Sequence, residues 1–164
     1  MRTSLSIALA IIVLSFGAGQ ARAGTVYGDH CPPKPDTAPL DVTGCDLVVL
    51  YDSTEAATAE LGLFRRPLKS ANIQAGDRVF AAQGFCSFSH AKPAWRRLGR
   101  AKAALDHYVA RLSSPEAQAL PAEIREPLVT QAVAIVAKVA ALRVSARAAC
   151  TGMCARCART LSPS

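Results

Sequence analysis

Aromatic residues make up only 5% of this 164-residue sequence, and few of them stand among its arginines and lysines. Few rings interleave its positive charges, and the export expected below takes the chain away from nucleic acid, so that partner class is set aside. There is no G-x-S-x-G, no H-E-x-x-H and no phosphate-cradling glycine loop, which removes the common hydrolase, zinc-protease and nucleotide-binding signatures. Asp41, Asp46 and Asp52 lack the spacing of a calcium loop and read as surface charges. There is no internal repeat and no low-complexity tract. Beyond the first residues, no stretch is long and apolar enough to span a membrane without charge, so no transmembrane span is expected after signal cleavage.

What is present begins with a leader. Arg2 gives a short positive start, and Leu5 to Phe16 is an apolar run too short for a span of about 20 residues. Ala21-Arg22-Ala23 is an A-x-A cleavage site. Residues 1–23 therefore read as a signal peptide and Gly24 as the mature start, with export to the periplasm or beyond. No cysteine sits near the cut to accept a lipid anchor.

Charge is unevenly spread. Residues 24–64 hold seven acids and one base, whereas residues 78–114 hold seven bases and one acid, Asp106. From Pro127 onward there are five bases and no acid. Either the acidic front packs near the basic remainder, or the bases form a face for an anionic envelope component or another exported protein.

Two helices stand out. In the stretch from Pro127 to Cys157, Leu128, Ala132, Ile135, Val139, Leu142, Ala146 and Ala149 follow one another at steps of 4 and 3, one face of a helix. Val129, Val133, Val136 and Ala140 widen that face, while Gln131, Lys138 and Ser145 mark a wet side. Pro127 suits a first-turn position, and Gly152 weakens continuation past Cys150. Pro93 to Leu112 is the second helix, with Leu98, Ala101, Leu105, Tyr108 and Leu112 inward and Arg96, Arg100, His107 and Arg111 opposite. Ser114 and Pro115 fit the cap and first position of a short helix after it.

Elsewhere the pattern is weaker. Residues 24–44, with Pro32, Pro33, Pro35 and Pro39, read as an extended arm preceding a single helical domain at 45–164. Residues 46–51 fit a strand or a helix. Asp52 and Glu55 resemble a capping box that would start a helix over 53–63. Residues 65–88 read as a linker. Ala75-Gly76-Asp77 within it is a turn signal that suggests a small β-hairpin over 73–81, and Gly84 reads as a further break. The expected fold class is mainly α: a small helical bundle, stapled by disulfides, with a proline-rich N-terminal arm.

Six cysteines in an exported chain point to three bridges among Cys31, Cys45, Cys86, Cys150, Cys154 and Cys157. Thiols four apart on one helix point in parallel, a poor geometry for a bridge. This favours pairing of Cys150, Cys154 and Cys157 with Cys31, Cys45 and Cys86, with a local Cys31–Cys45 bridge across the arm as the rival. Alternatively Cys150, Cys154 and Cys157 form a soft-metal site for Cu or Zn, with Met153 and His30 as further ligands. Their spacing equals that of the cluster motif of radical-SAM enzymes, but only seven residues follow Cys157, too few for that fold. Cys154-Ala155-Arg156-Cys157 has thiol-redox spacing, yet it lies at a helix end with no strand before it. Cys86 and His90 could face each other, but no third group orients them. Arg96, Arg97, Arg100 and Arg111 are the candidate surface for an anionic partner. The function expected is that of a non-enzymatic exported interaction protein. An envelope metal-binding protein and a small thiol-redox protein are the alternatives.

Overall fold

Pro39 opens the first helix, because its missing N–H would be unpaired in a first turn and its φ is already helical. The computed structural model describes residues 31, 38–146 and 150. The expected leader 1–23 with its cleavage site, most of the expected arm, His30, Met153, Cys154 and Cys157 lie outside them. Helix α1 runs Pro39–Ala56, with Leu40, Thr43, Leu47, Leu50 and Thr54 buried at helical spacing. The buried Thr43 and Thr54 hydroxyls donate to carbonyls four residues back, those of Pro39 at 2.9 Å and Leu50 at 2.7 Å. Residues 46–51 are thus helical, and the helix expected to start after Asp52 is already well under way. The strand preference of Leu47–Tyr51 yields to burial of one face.

The chain breaks at Ala57, and a short helix α2 spans Thr58–Leu61. Gly62 takes φ +49°, a conformation that suits only glycine, and turns the chain through a 3-10 segment, Gly62–Phe64. Helix α3 then runs Arg65–Ser87. This corrects the expected linker and the small β-hairpin over 73–81: there is no strand among the described residues. The reason is a buried stripe of Leu68, Asn72, Ala75, Val79, Ala82 and Cys86. Three of its members are small or polar, so the period was faint, and packing overrides the turn chemistry of Gly76 and Asp77. Gly76 and Gly84 sit inside α3, each costing about 1 kcal/mol relative to alanine.

Helix α4, Ala91–Leu112, buries Ala94, Leu98, Ala101, Leu105, Tyr108 and Leu112, the stripe expected from the sequence. Ser114 caps the following 3-10 turn, Pro115–Ala119, its hydroxyl oxygen accepting from the Ala117 N–H. Helix α5 spans Ala122–Val144 and starts earlier than Pro127, which lies inside it and exposed. Its stripe Leu128, Ala132, Ile135, Val139 and Leu142 is buried as expected. It ends at Val144, ahead of Cys150.

In the bundle α1 packs on α3, α3 on α4, α4 on α5, and α5 returns to α1. Leu50, Leu68, Leu105 and Leu112 are fully shut from solvent, each worth about 1.5–3 kcal/mol of transfer free energy. Helix α5 is apolar beyond its buried stripe, with Val133 and Val144 exposed. By length and composition alone it could cross a membrane, and in the bundle its stripe Leu128, Ala132, Ile135, Val139 and Leu142 is buried. Lys138 on it reaches Asp46 of α1 at 2.6 Å.

Among the described residues two disulfides close the structure. Cys31 is bonded to Cys45, with Cα atoms 5.4 Å apart, tying the chain ahead of α1 to that helix. This is the local bridge, and it replaces the expected long-range pairing for these two cysteines. A fourteen-residue separation brings Cys31 back within reach of the first turns of α1. Cys86 is bonded to Cys150, Cα atoms 4.3 Å apart, as the early-to-late pairing expects.

Candidate functional site

The Cys86–Cys150 bridge brings the end of α3 beside the chain that follows α5. The start of α4 joins them, because the α3–α4 connection is very short. It closes as a Schellman turn: the His90 N–H donates to the Phe85 carbonyl at 2.8 Å and the Ser89 N–H to the Cys86 carbonyl at 2.9 Å. Ser89 occupies the left-handed position at φ 59°. The abrupt stop leaves Phe88 75% exposed, beside the exposed His90.

One turn further, Trp95 on α4 lies under the guanidinium of Arg143 on α5, 4.1 Å from ring centroid to Cζ. Gly99 makes room for that arrangement. A Cβ there would meet Arg143 Nε at 3.3 Å, and Nε is buried without a hydrogen-bond partner. The cation–π contact is worth about 0.5–2 kcal/mol. Trp95 keeps 45% of its surface exposed and Val144, at the end of α5, 91%. Ala91, Lys92, Trp95, Arg143, Val144 and Ala146 line a shallow hollow of about 380 Å³.

Along the chain, charge here is one-sided, although the start of α1 brings Asp41 to Gln83 of α3 and Asp46 to Lys138 of α5 at the same end of the bundle. No acid occurs between Arg78 and Leu105, nor after Glu126. Among the described residues the ion pairs are Glu55 with Arg65 and Lys69, Lys102 with Asp106, Arg125 with Glu126, and Lys138 with Asp46. None engages Lys92, Arg96, Arg97, Arg100 or Arg143. Arg96 and Arg100 are exposed on the outer face of α4. Arg97 turns aside and stacks over Phe85, 5.8 Å from its centroid.

Arg111 does not belong to this group. Fifteen residues beyond Arg96, it stands about 22 Å along the helix, lining a separate hollow with His107, Leu63, Phe64 and Glu116. The Glu116 carboxyl is held below its ordinary value by hydrogen bonding to Ser114 and its own backbone, with Arg111 adding to that effect. The four candidate arginines therefore divide: Arg96 and Arg100 share a face, Arg97 flanks it, and Arg111 lies apart with an acid. Sequence reasoning missed Lys92, Phe88 and the Trp95–Arg143 pair, although the acid-free stretches were visible.

The remaining candidates are simpler. Cys150 is 1% exposed and bridged to Cys86, so it offers no thiolate to Cu or Zn, and Cys86 offers none to His90. Among the described residues no group of three His, Cys, Asp or Glu side chains is placed to hold a metal ion. A second groove of about 590 Å³ runs between α1 and α3, lined by Val48, Tyr51, Ile73 and Phe80 with Asp41 and Asp77. Compared with protein-family models, with curated proteins and with solved structures, the chain matches none.

Proposed function

We propose that this is an exported, disulfide-stabilised, non-enzymatic interaction protein that binds an anionic partner of the cell envelope through the cationic end of its bundle. The observation that carries the reading is the set Lys92, Arg96, Arg97, Arg100 and Arg143, free of ion pairs and drawn from two stretches of the chain that hold no acid. A concentrated, unneutralised field of one sign raises the encounter rate and affinity of an opposite charge. The leader and the bridges Cys31–Cys45 and Cys86–Cys150 suit an oxidising compartment outside the cytoplasm.

The test is a charge reversal. Arg96→Glu with Arg100→Glu, both exposed and away from the core, is expected to abolish binding of the oxidised protein to isolated envelope material at low salt. Undiminished binding would eliminate the reading.

A further inference from the structure

The cationic end also carries apolar side chains that the bundle leaves uncovered. Phe88, Trp95 and Val144 are 75%, 45% and 91% exposed. They come from the α3–α4 turn, the first turns of α4 and the last residue of α5, which the Cys86–Cys150 bridge and the Arg143–Trp95 contact tie to one end of the bundle. Lys92 lines one hollow with Trp95 and Val144, Arg96 follows Trp95 on α4, and Arg143 stacks on the indole itself. Aromatic and aliphatic tips ringed by long cationic side chains suit a phospholipid headgroup layer. The rings enter the acyl boundary while ammonium and guanidinium groups stay at the phosphates.

Resting on the anionic-partner reading above, we infer that this partner is an anionic lipid bilayer, on which the protein sits with Phe88, Trp95 and Val144 inserted. Charge decides against the obvious competitor, a second copy. Pairing of this face with the same face of a second copy would set Lys92 and Arg143 of each copy near those of the other, cation against cation. Against an anionic leaflet the same cations are attractive, each changing partitioning about fivefold.

Trp95 is the only tryptophan in the chain, so its emission reports this end alone. The oxidised mature protein is titrated with vesicles of phosphatidylglycerol and phosphatidylcholine, with pure phosphatidylcholine vesicles, and with soluble dextran sulfate. The expected result is a blue shift and quenching by bromine-labelled acyl chains on the anionic vesicles only. Arg96→Glu/Arg100→Glu should weaken partitioning about thirtyfold or more. Phe88→Ser/Val144→Ser, at exposed sites, should lose the bromine quenching and keep dextran sulfate binding. Co-sedimentation with vesicles without bromine quenching overturns the insertion but leaves the anionic-partner reading standing. So does dextran sulfate binding without any vesicle binding. Binding to neither polyanion nor vesicle overturns both. A blue shift that follows protein concentration without lipid assigns the face to a second copy and overturns the lipid inference.

Discussion

The hydroxyl oxygens of Thr54 and Tyr108 lie 2.7 Å apart in the centre of the bundle, joining α1 to α4 across the ring of helices. The Thr54 hydroxyl has one proton and gives it to the Leu50 carbonyl at 2.7 Å. Tyr108 must therefore donate to Thr54. The two deletions are then unequal. Tyr108→Phe removes a donor from an oxygen whose own bond survives, and is expected to cost about 1 kcal/mol. Thr54→Val strands a buried phenolic O–H and should cost about 1–3 kcal/mol. Denaturant unfolding of both variants checks the order; a costlier Tyr108→Phe would reverse the assignment of donor.

The same tyrosine makes the fold sensitive to alkali. Burial, only partly opposed by the neighbouring Thr54 hydroxyl, pushes the Tyr108 hydroxyl up from 10.0 to about 12. Below the unfolded value both states are neutral, so stability is unaffected there. Between pH 10 and about 12 the unfolded phenol ionises while the folded one does not, and stability falls. The loss amounts to roughly 3 kcal/mol once both have titrated. Unfolding curves at pH 8 and pH 11 should differ, and the difference should shrink in Tyr108→Phe.

Ser89 and Gly62 give a pair of opposite substitutions. Ser89 holds the left-handed place of the Schellman turn at φ 59°, where a side chain is strained. Ser89→Gly is expected to stabilise by about 0.5–1 kcal/mol. Gly62, at φ 49° and ψ −119°, meets no atom within 4 Å of an added Cβ. The cost of Gly62→Ala is therefore backbone strain alone, about 1–3 kcal/mol. Thermal unfolding of the two single variants should move in opposite directions.

These residues also mark what was legible in the sequence. The stripes of α4 and α5 are rich in leucine, valine and isoleucine, so their period stands out and both were found. The α3 stripe passes through Asn72, Ala75 and Ala82, and Gly76-Asp77 reads locally as a turn. Asn72 belongs in the core because its amide donates to the Leu47 carbonyl of α1 at 3.2 Å, a partner 25 residues away that no local window contains. Helix α1 was hidden by prolines, although Pro39 serves as its first residue. At the candidate site the cationic excess was visible, but its focus was not. Arg96 and Arg111 share a helix face in projection and lie turns apart along it. The partner of Trp95 comes from 48 positions downstream, a pairing set by the way α4 and α5 cross.

Glu55 supplies a second, acid-side handle. Lys69 at 2.9 Å and Arg65 at 3.1 Å hold its carboxyl below the ordinary value of 4.5. A depressed carboxyl contributes stability above its unfolded value, and that contribution disappears as pH falls through the folded one. Glu55→Gln should therefore flatten the decline of stability below pH 4.5 while leaving the alkaline loss due to Tyr108 intact. A variant whose acid limb is unchanged would show the pair to be inert.

The two disulfides should differ in what they protect. In the chain-entropy description, Cys86–Cys150, with a separation of 64 residues, is worth about 4 kcal/mol, and Cys31–Cys45, with a separation of 14, about 3 kcal/mol. The larger distinction is local. Helix α5 ends at Val144, and the Cys86–Cys150 bond fastens the chain after it to the last turn of α3. Removing that bond as Cys86→Ala/Cys150→Ala frees the end of α5 to fray, and with it the Arg143 guanidinium over Trp95. Removing Cys31–Cys45 acts instead at the start of α1, which packs on α3 and α5 at the same end of the bundle, and leaves the α3-to-α5 tether beside Trp95 in place. The emission of Trp95 should thus change in Cys86→Ala/Cys150→Ala under conditions where the protein is still folded, and stay constant in Cys31→Ala/Cys45→Ala. Equal emission in both would mean that packing between α4 and α5, without the bridge, is enough to hold the indole in place.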